Sequence, residues 1–149
     1  MIMDTKLELW YNLGKYIIGG YYMRDIKFRV WDNERNAMFN SKSVDIDFFE
    51  GKIEITSDTI RYDEVYTDEI KDFELMQYVG CKDKNNKEIY EGDIVKTIVK
   101  TKEYIGQIIY SKGMFFIDVK RDFYLPIYNV SEFMEVIGNI YENPELLER

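Results

Sequence analysis

Histidine is absent from the 149 residues, and Cys81 is the only cysteine. Without histidine no Ser-His-Asp triad or Cys-His pair can be assembled, and zinc, haem and iron–sulfur centres lose their usual ligands. A lone cysteine cannot close a disulfide within one chain, which fits a reducing cytoplasm and makes Cys81 a structural, buried or half-buried thiol rather than a nucleophile. No apolar run approaches the roughly 20 residues needed to span a bilayer. The phosphate-cradling pattern GxxxxGK[ST] does not occur. No catalytic, cofactor-binding or metal residue is assigned.

What the chain does have is apolar and aromatic material. Hydrophobic residues make up 46%, with 13 Tyr and 9 Phe, enough to fill a core in one domain or two small ones. The net charge of −8 and a pI near 4.7 oppose generic binding to a phosphate backbone. That charge is unevenly placed: Asp32 to Glu74 holds thirteen acidic residues against five basic ones, whereas Cys81 to Arg121 holds nine basic against six acidic.

Residues 1–22 fit neither helix nor strand and lack the apolar core and cleavage site of a signal peptide. Gly19-Gly20-Tyr21-Tyr22-Met23 back-translates to a ribosome-binding sequence, a spacer and a start codon. Met23 is accordingly expected as the biological start and 1–22 as an extension, the alternative being a loosely attached arm. From Ile26 the period becomes two, Ile26, Phe28 and Val30 facing one side and Lys27, Arg29 and Trp31 the other, which predicts a strand. Asp32 to Asn36 is a polar turn, and Ala37 to Phe39 should pair back. Val44, Ile46 and Phe48 alternate with Asp45, Asp47 and Phe49, and Glu50-Gly51 is expected as a two-residue turn into Ile53 and Ile55.

Thr56 to Asp72 is acidic and tyrosine-bearing but has no ligand spacing, so a solvated connector with a short strand or helical turn outweighs a cation site. Phe73 to Val79 reads as a strand broken by Gly80, followed by the loop Asp83 to Lys87, Glu88 to Tyr90, the Glu91-Gly92-Asp93 corner and the β-branched strand Ile94 to Val99. Tyr104 to Tyr110 and Met114 to Val119 flank a tight Ser111-Lys112-Gly113 turn. Lys120 to Asp122 turns again, Pro126 marks an edge strand within Phe123 to Tyr128, and Phe133 to Tyr141 closes with a kink at Gly138-Asn139. Asn143 is expected as N-cap of a helical turn from Pro144 to Glu148. Short strands at close spacing with glycine turns predict an all-β protein, a small barrel or sandwich.

Three stretches carry a resemblance. MRDIKFRVWD (Met23 to Asp32), LMQYVGCKDKNNKEIYEGDIV (Leu75 to Val95) and EVIGNIYENPELL (Glu135 to Leu147), in that order, resemble the YopX proteins, small proteins of temperate phages and prophages carried mainly by Gram-positive bacteria. The likeness runs from Met23 to the C-terminus and is weakest from Asn33 to Phe73. It implies an N-terminal β subdomain over 23–72 and an SH3-like barrel over 73–149, and it supplies no catalytic residues. Two departures stand out: Gly80-Cys81 where the family commonly has Gly-Leu, and Asn85-Asn86 where it commonly has Asn-Gly.

Function is bounded by elimination. The loop from Asp83 to Lys87 starts like a calcium loop but has Lys87, Glu88 and Ile94 where an oxygen ligand, a glycine and a glutamate are required. Paired carboxylates as in glycosidases are expected by chance among 28 acids. The first expectation is a non-enzymatic, cytoplasmic β-rich module working through protein contacts, with homo-oligomers favoured by exposed strand edges and 16% aromatic content. The second is a nucleic-acid-binding module that uses Lys82, Lys84, Lys87 and Lys96 beside Tyr78 and Tyr90, within a basic region reaching Lys102. Interleaved acids and the solvating role of hairpin lysines weigh against it. The third is an acidic decoy that presents Asp32 to Glu74 to a DNA-binding host protein.

Overall fold

The computed structural model describes residues 25–56, 66–119, 123–127 and 131–148, with the backbone of 17–18 and 21–22. The Met23 start, the acids Asp58, Asp63 and Glu64, and the turn at Lys120 to Asp122 lie outside the described residues. The described chain is all-β, three antiparallel sheets and a two-residue ladder between β1 (Ile17–Ile18) and β2 (Tyr21–Tyr22).

The central layer is a four-stranded sheet of β3 (Phe28–Asp32), β4 (Ala37–Phe39), β8 (Phe73–Lys82) and β9 (Glu88–Tyr90), in the order β4-β3-β8-β9. The turn between β3 and β4 closes as its sequence requires, Asp32 Oδ1 accepting the backbone N–H groups of Glu34 and Arg35 at 2.9 Å each. The two faces that alternation assigned to β3 are both buried toward its end. Val30 packs with Ile53, Ile55 and Phe73, while Trp31 packs with Met76, Tyr78 and Tyr90 and stacks on Tyr141 at 5.4 Å. A strand in a central layer has no solvent face, and polar Lys and Arg between the apolar positions hid this.

On one side lies a three-stranded sheet, β5 (Val44–Asp47), β6 (Lys52–Ile55) and β7 (Tyr66–Glu69), continued by a 3-10 turn over Ile70–Asp72. Ile53 and Ile55 point inward, while Asp45, Glu54 and Thr67 register across the strands on the outer face. The expected two-residue turn at Glu50-Gly51 is instead a four-residue connection, because Asp47 pairs with Lys52. Asp47 Oδ1 accepts the N–H groups of Phe49 and Glu50, each at 2.9 Å, and this side-chain turn ends the strand before Phe48.

The third sheet bends into a half-barrel. Its strands β10 (Asp93–Val99), β11 (Lys102–Ser111), β12 (Met114–Val119), β13 (Phe123–Pro126) and β14 (Glu135–Asn139) lie in the order β13-β12-β11-β10-β14. Pro126 sits on an edge strand, as expected. A Cβ on Gly106 would stand 2.5 Å from the Asp118 carbonyl oxygen and 2.6 Å from Ile117 Cγ2, so β11 can bend against β12 only with glycine there. β14 carries one extra residue, Ile137, between the positions paired with Ile94 and Val95, a bulge that adds to the bend. Ile89, Val95, Ile108, Ile117 and Met134 fill the concave side.

β8 ties the layers together. Phe73 and Leu75 enter the core shared with the three-stranded sheet, Met76 and Tyr78 the opposite one, and Val79 and Cys81 pack on the half-barrel core. Gly80 does not break the strand. It sits at φ 93 inside a register shift between Tyr78 and Lys82, a bulge the ladder absorbs. The C-terminal turn over Pro144–Leu147 is 3-10, and Asn143 accepts the Asn139 N–H at 3.3 Å instead of capping it.

Candidate interaction surfaces around a buried ion-pair network

The basic residues of the first strand alternate toward the Glu91-Gly92-Asp93 corner. Arg29 Nη2 is 2.6 Å from Asp93 Oδ1 and 3.4 Å from the Glu91 carbonyl, and its guanidinium lies 4.9 Å from the Tyr90 ring centre. The other Asp93 oxygen accepts the Tyr90 N–H at 2.8 Å. Burial pushes the Asp93 carboxyl above its ordinary value, outweighing the attraction of Arg29. Next to it, Lys27 Nζ pairs with Glu88 Oε1 at 2.6 Å over the Tyr78 ring, and the Tyr90 hydroxyl lies 2.7 Å from Glu88 Oε2. Burial opposes the Glu88 charge, but Lys27 and Tyr90 hold its carboxyl below the usual range. Burial, with Glu88 nearby, pushes the Tyr78 phenol up to about 12. Both tyrosines therefore stay protonated near neutrality, and each carboxylate is committed to a neighbour. Among the described residues only Arg29 Nε and Thr97 Oγ1 are buried without a hydrogen-bond partner. The network joins β3, β9 and β10 and has an architectural geometry. Sequence reading placed Lys27 and Arg29 on a shared face without finding their partners; the acid-bearing corner was the available signal.

The Asp83 loop is equally self-contained. Asp83 Oδ1 accepts the N–H groups of Asn85 and Lys87 at 2.8 and 2.9 Å, and Oδ2 accepts that of Val136 at 2.9 Å. Burial works against the charge, but these three donors outweigh it and hold the carboxyl below its ordinary value. The oxygens that resembled calcium ligands thus organise the hairpin and tie it to β14. Among the described residues, no group of three or more His, Cys, Asp or Glu side chains is placed to hold a metal ion.

The four lysines singled out from sequence do not form one basic strip. Lys82 is exposed at the end of β8, in register with Glu88. Lys84 pairs with Glu135 at 2.6 Å. Lys87 is exposed on the loop and adds to the pull on Asp83. Lys96, on β10, is in register with Glu135 and 3.9 Å from Glu103.

Apolar side chains, by contrast, collect on the surface in two places that sequence reading missed. On the convex face of the half-barrel, Ile109 is in register with Phe116, and Phe116 lies edge to face with Tyr124 at 6.2 Å, Tyr124 being 61% exposed. Ile98, 53% exposed, and Ile105 share the other end of that face with Lys96. The second place is the tip between β5 and β6, where Phe48 is 64% and Phe49 98% exposed. An open cavity of about 450 Å³ lies beside it, lined by Asp45, Asp47, Phe48, Glu50, Lys52 and Glu54 among others. The alternation of Ile105, Ile109 and Phe116 with inward residues was readable, but not that Ile94 on the same face is fully buried while Ile98 is 53% exposed.

The sequence pattern of the family described as YopX protein matches residues 27–148. The chain belongs to the YopX family. Two solved structures agree with this. Protein EF1440 from Enterococcus faecalis is 28% identical, with a TM-score of 0.61 over 84% of this chain and 99% of its own. Protein yopX from Bacillus subtilis is 26% identical, with a TM-score of 0.60 over 85% of this chain and 98% of its own. No curated protein sequence matches the chain.

The YopX match begins at Lys27, so the ion-pair network, the Asp83 loop and both apolar surfaces lie inside it. The two departures from the family pattern are accommodated. Cys81 is half-buried against the half-barrel core, and burial pushes its thiol up. Asn86 adopts φ 66, the conformation for which glycine is otherwise used. No helix among the described residues is long and apolar enough to cross a membrane.

Proposed function

We propose that this YopX protein is a non-enzymatic phage or prophage accessory protein of the host cytoplasm, working as a β-rich protein-interaction module. Its half-barrel is read as an SH3-like barrel: a meander of four strands, β10 to β13, whose first strand also pairs with β14, bent at Gly106 and at the Ile137 bulge. One observation carries the functional reading. Among the described residues, the carboxylates of Asp83, Glu88 and Asp93 are committed to neighbours, whereas Tyr124, 61% exposed, and the half-buried Phe116 and Ile109 beside it leave an apolar patch on the convex face. Contiguous exposed apolar surface rimmed by polar residues marks a contact site more often than isolated side chains do.

Nucleic acid is the weaker reading. Lys84 and Lys96 have carboxylates at 2.6 and 3.9 Å, which reduce the field a phosphate backbone would meet.

The test is affinity capture from infected host cells with wild type and a Phe116→Glu/Tyr124→Glu variant of unchanged circular dichroism. Loss of the same bound proteins from the variant supports the reading. Retention of all of them, or capture of single-stranded nucleic acid that fails in a Lys82→Glu/Lys84→Glu/Lys87→Glu variant, overturns it.

A further inference from the structure

The tip between β5 and β6 presents an apolar residue with almost no cover. Phe49 is 98% exposed, while Phe48 leans edge to face on Phe28 at 5.7 Å. The tip is held in place, since Asp47 Oδ1 accepts the Phe49 and Glu50 N–H groups. A preformed apolar projection loses little freedom on docking. Its rim is acidic: Asp45, Asp47, Glu50 and Glu54 surround it, with Lys52 paired to Glu50 at 2.7 Å. Carboxylates in that position repel anionic lipid surfaces, so a protein with an apolar patch inside a basic rim fits better.

This chain carries such a patch. Ile98, 53% exposed, and the half-buried Ile105 lie on the convex face beside the turn from β10 to β11, with Lys96 on the strand, Lys100 in the turn at φ 59, and Glu103 and Glu135, both beside Lys96, as the local acids. We propose that the chain associates head to tail, the Phe48–Phe49 tip of one copy seating on the Ile98–Ile105 patch of a second copy, between Lys96 and Lys100. Two different surfaces meet, so the contact is heterologous and propagates into a ring or an open chain. A tip-sized contact falls below the roughly 1,200 Å² of stable complexes, so association depends on concentration and weakens with salt. The inference rests on reading the chain as an interaction module.

The experiment is sedimentation velocity of the full chain over a range of concentration and salt. Three proteins are compared: wild type, Phe49→Ser, and Lys96→Glu/Lys100→Glu. Phe49 has no core to leave, so its variant should fold unchanged by circular dichroism. Each variant is expected to raise the dissociation constant by about tenfold or more, the scale of a contact hot spot. A mixture of the two variants should recover one-contact heterodimers, because each retains the half the other lacks. A monomeric wild type, association unaffected by Phe49→Ser, or no recovery on mixing overturns the proposal. So does binding of phosphatidylcholine–phosphatidylserine vesicles that Phe49→Ser abolishes. If the contact fails here while Phe116→Glu/Tyr124→Glu still loses captured partners, the interaction-module reading stands without self-association.

Discussion

Replacing Arg29 by methionine keeps most of the aliphatic stem and removes the guanidinium, leaving the Asp93 carboxylate, 1% exposed, without its cation. Truncating one partner of a buried pair costs about 3–5 kcal/mol, because the other charge stays buried and uncompensated. Asp93 keeps the Tyr90 N–H at 2.8 Å, and the Arg29 side chain is 11% exposed, so the lower end of that range applies. In a domain of this length about 3 kcal/mol corresponds to a fall of about 6–12 °C in Tm near pH 7. The loss should depend on pH. Burial already raises the Asp93 carboxyl above its ordinary value, and Arg29 is the foremost influence holding it down. Without Arg29 the folded state keeps the Asp93 proton to higher pH, while the unfolded state does not. A raised folded value contributes stability that is fully present below the unfolded value and lost as pH climbs through the folded one. The deficit against wild type should therefore narrow as the solution is acidified from neutrality. Arg29→Met/Asp93→Asn should regain most of the loss, since a neutral amide oxygen can still accept the Tyr90 N–H. Urea and thermal unfolding followed by circular dichroism at several pH values reads all three effects. A loss below about 1 kcal/mol, or a deficit that does not change with pH, would refute the uncompensated-charge reasoning.

Three further outcomes are expected. Gly106→Ala puts a methyl 2.5 Å from the Asp118 carbonyl oxygen, so β12 must shift, and the urea midpoint should fall by the equivalent of about 1–3 kcal/mol. Asp83→Asn should weaken the fold near neutrality and flatten its acid dependence. The lowered Asp83 value contributes stability present above the ordinary aspartate range and lost as pH falls through the folded value, which a Tm–pH profile measures. Cys81, half-buried with its thiol pushed up by burial, should react slowly with iodoacetamide in the folded protein and quickly in urea, as timed by mass spectrometry.

The elements were largely legible because their cues are local. Period-two alternation found β3 and β5, β-branched composition found β10, and Asx and glycine chemistry found most of the turns. What failed depended on the third dimension. Asp47 closes a turn with its side chain before Phe48, which removed two phenylalanines from the strand that alternation had assigned them. Gly80 is a bulge because β8 has partners on both sides of it, and nothing in the preceding residues encodes those partners. Trp31 is buried by Tyr141, 110 residues later in the chain. The lysines at 82, 84 and 96 read as a basic region because their neighbours in sequence were visible and Glu135 was not. Which face of the half-barrel strands stays exposed could not be read, since an outward isoleucine and an inward one look alike until the layers are known.

The convex face of the half-barrel is the surface on which the functional reading depends. Quantitative mass spectrometry of proteins captured from infected host cells, wild type against Phe116→Glu/Tyr124→Glu at matched stability, tests it most directly. The expected result is a small set of proteins held by wild type and lost from the variant. An identical set on both would contradict it.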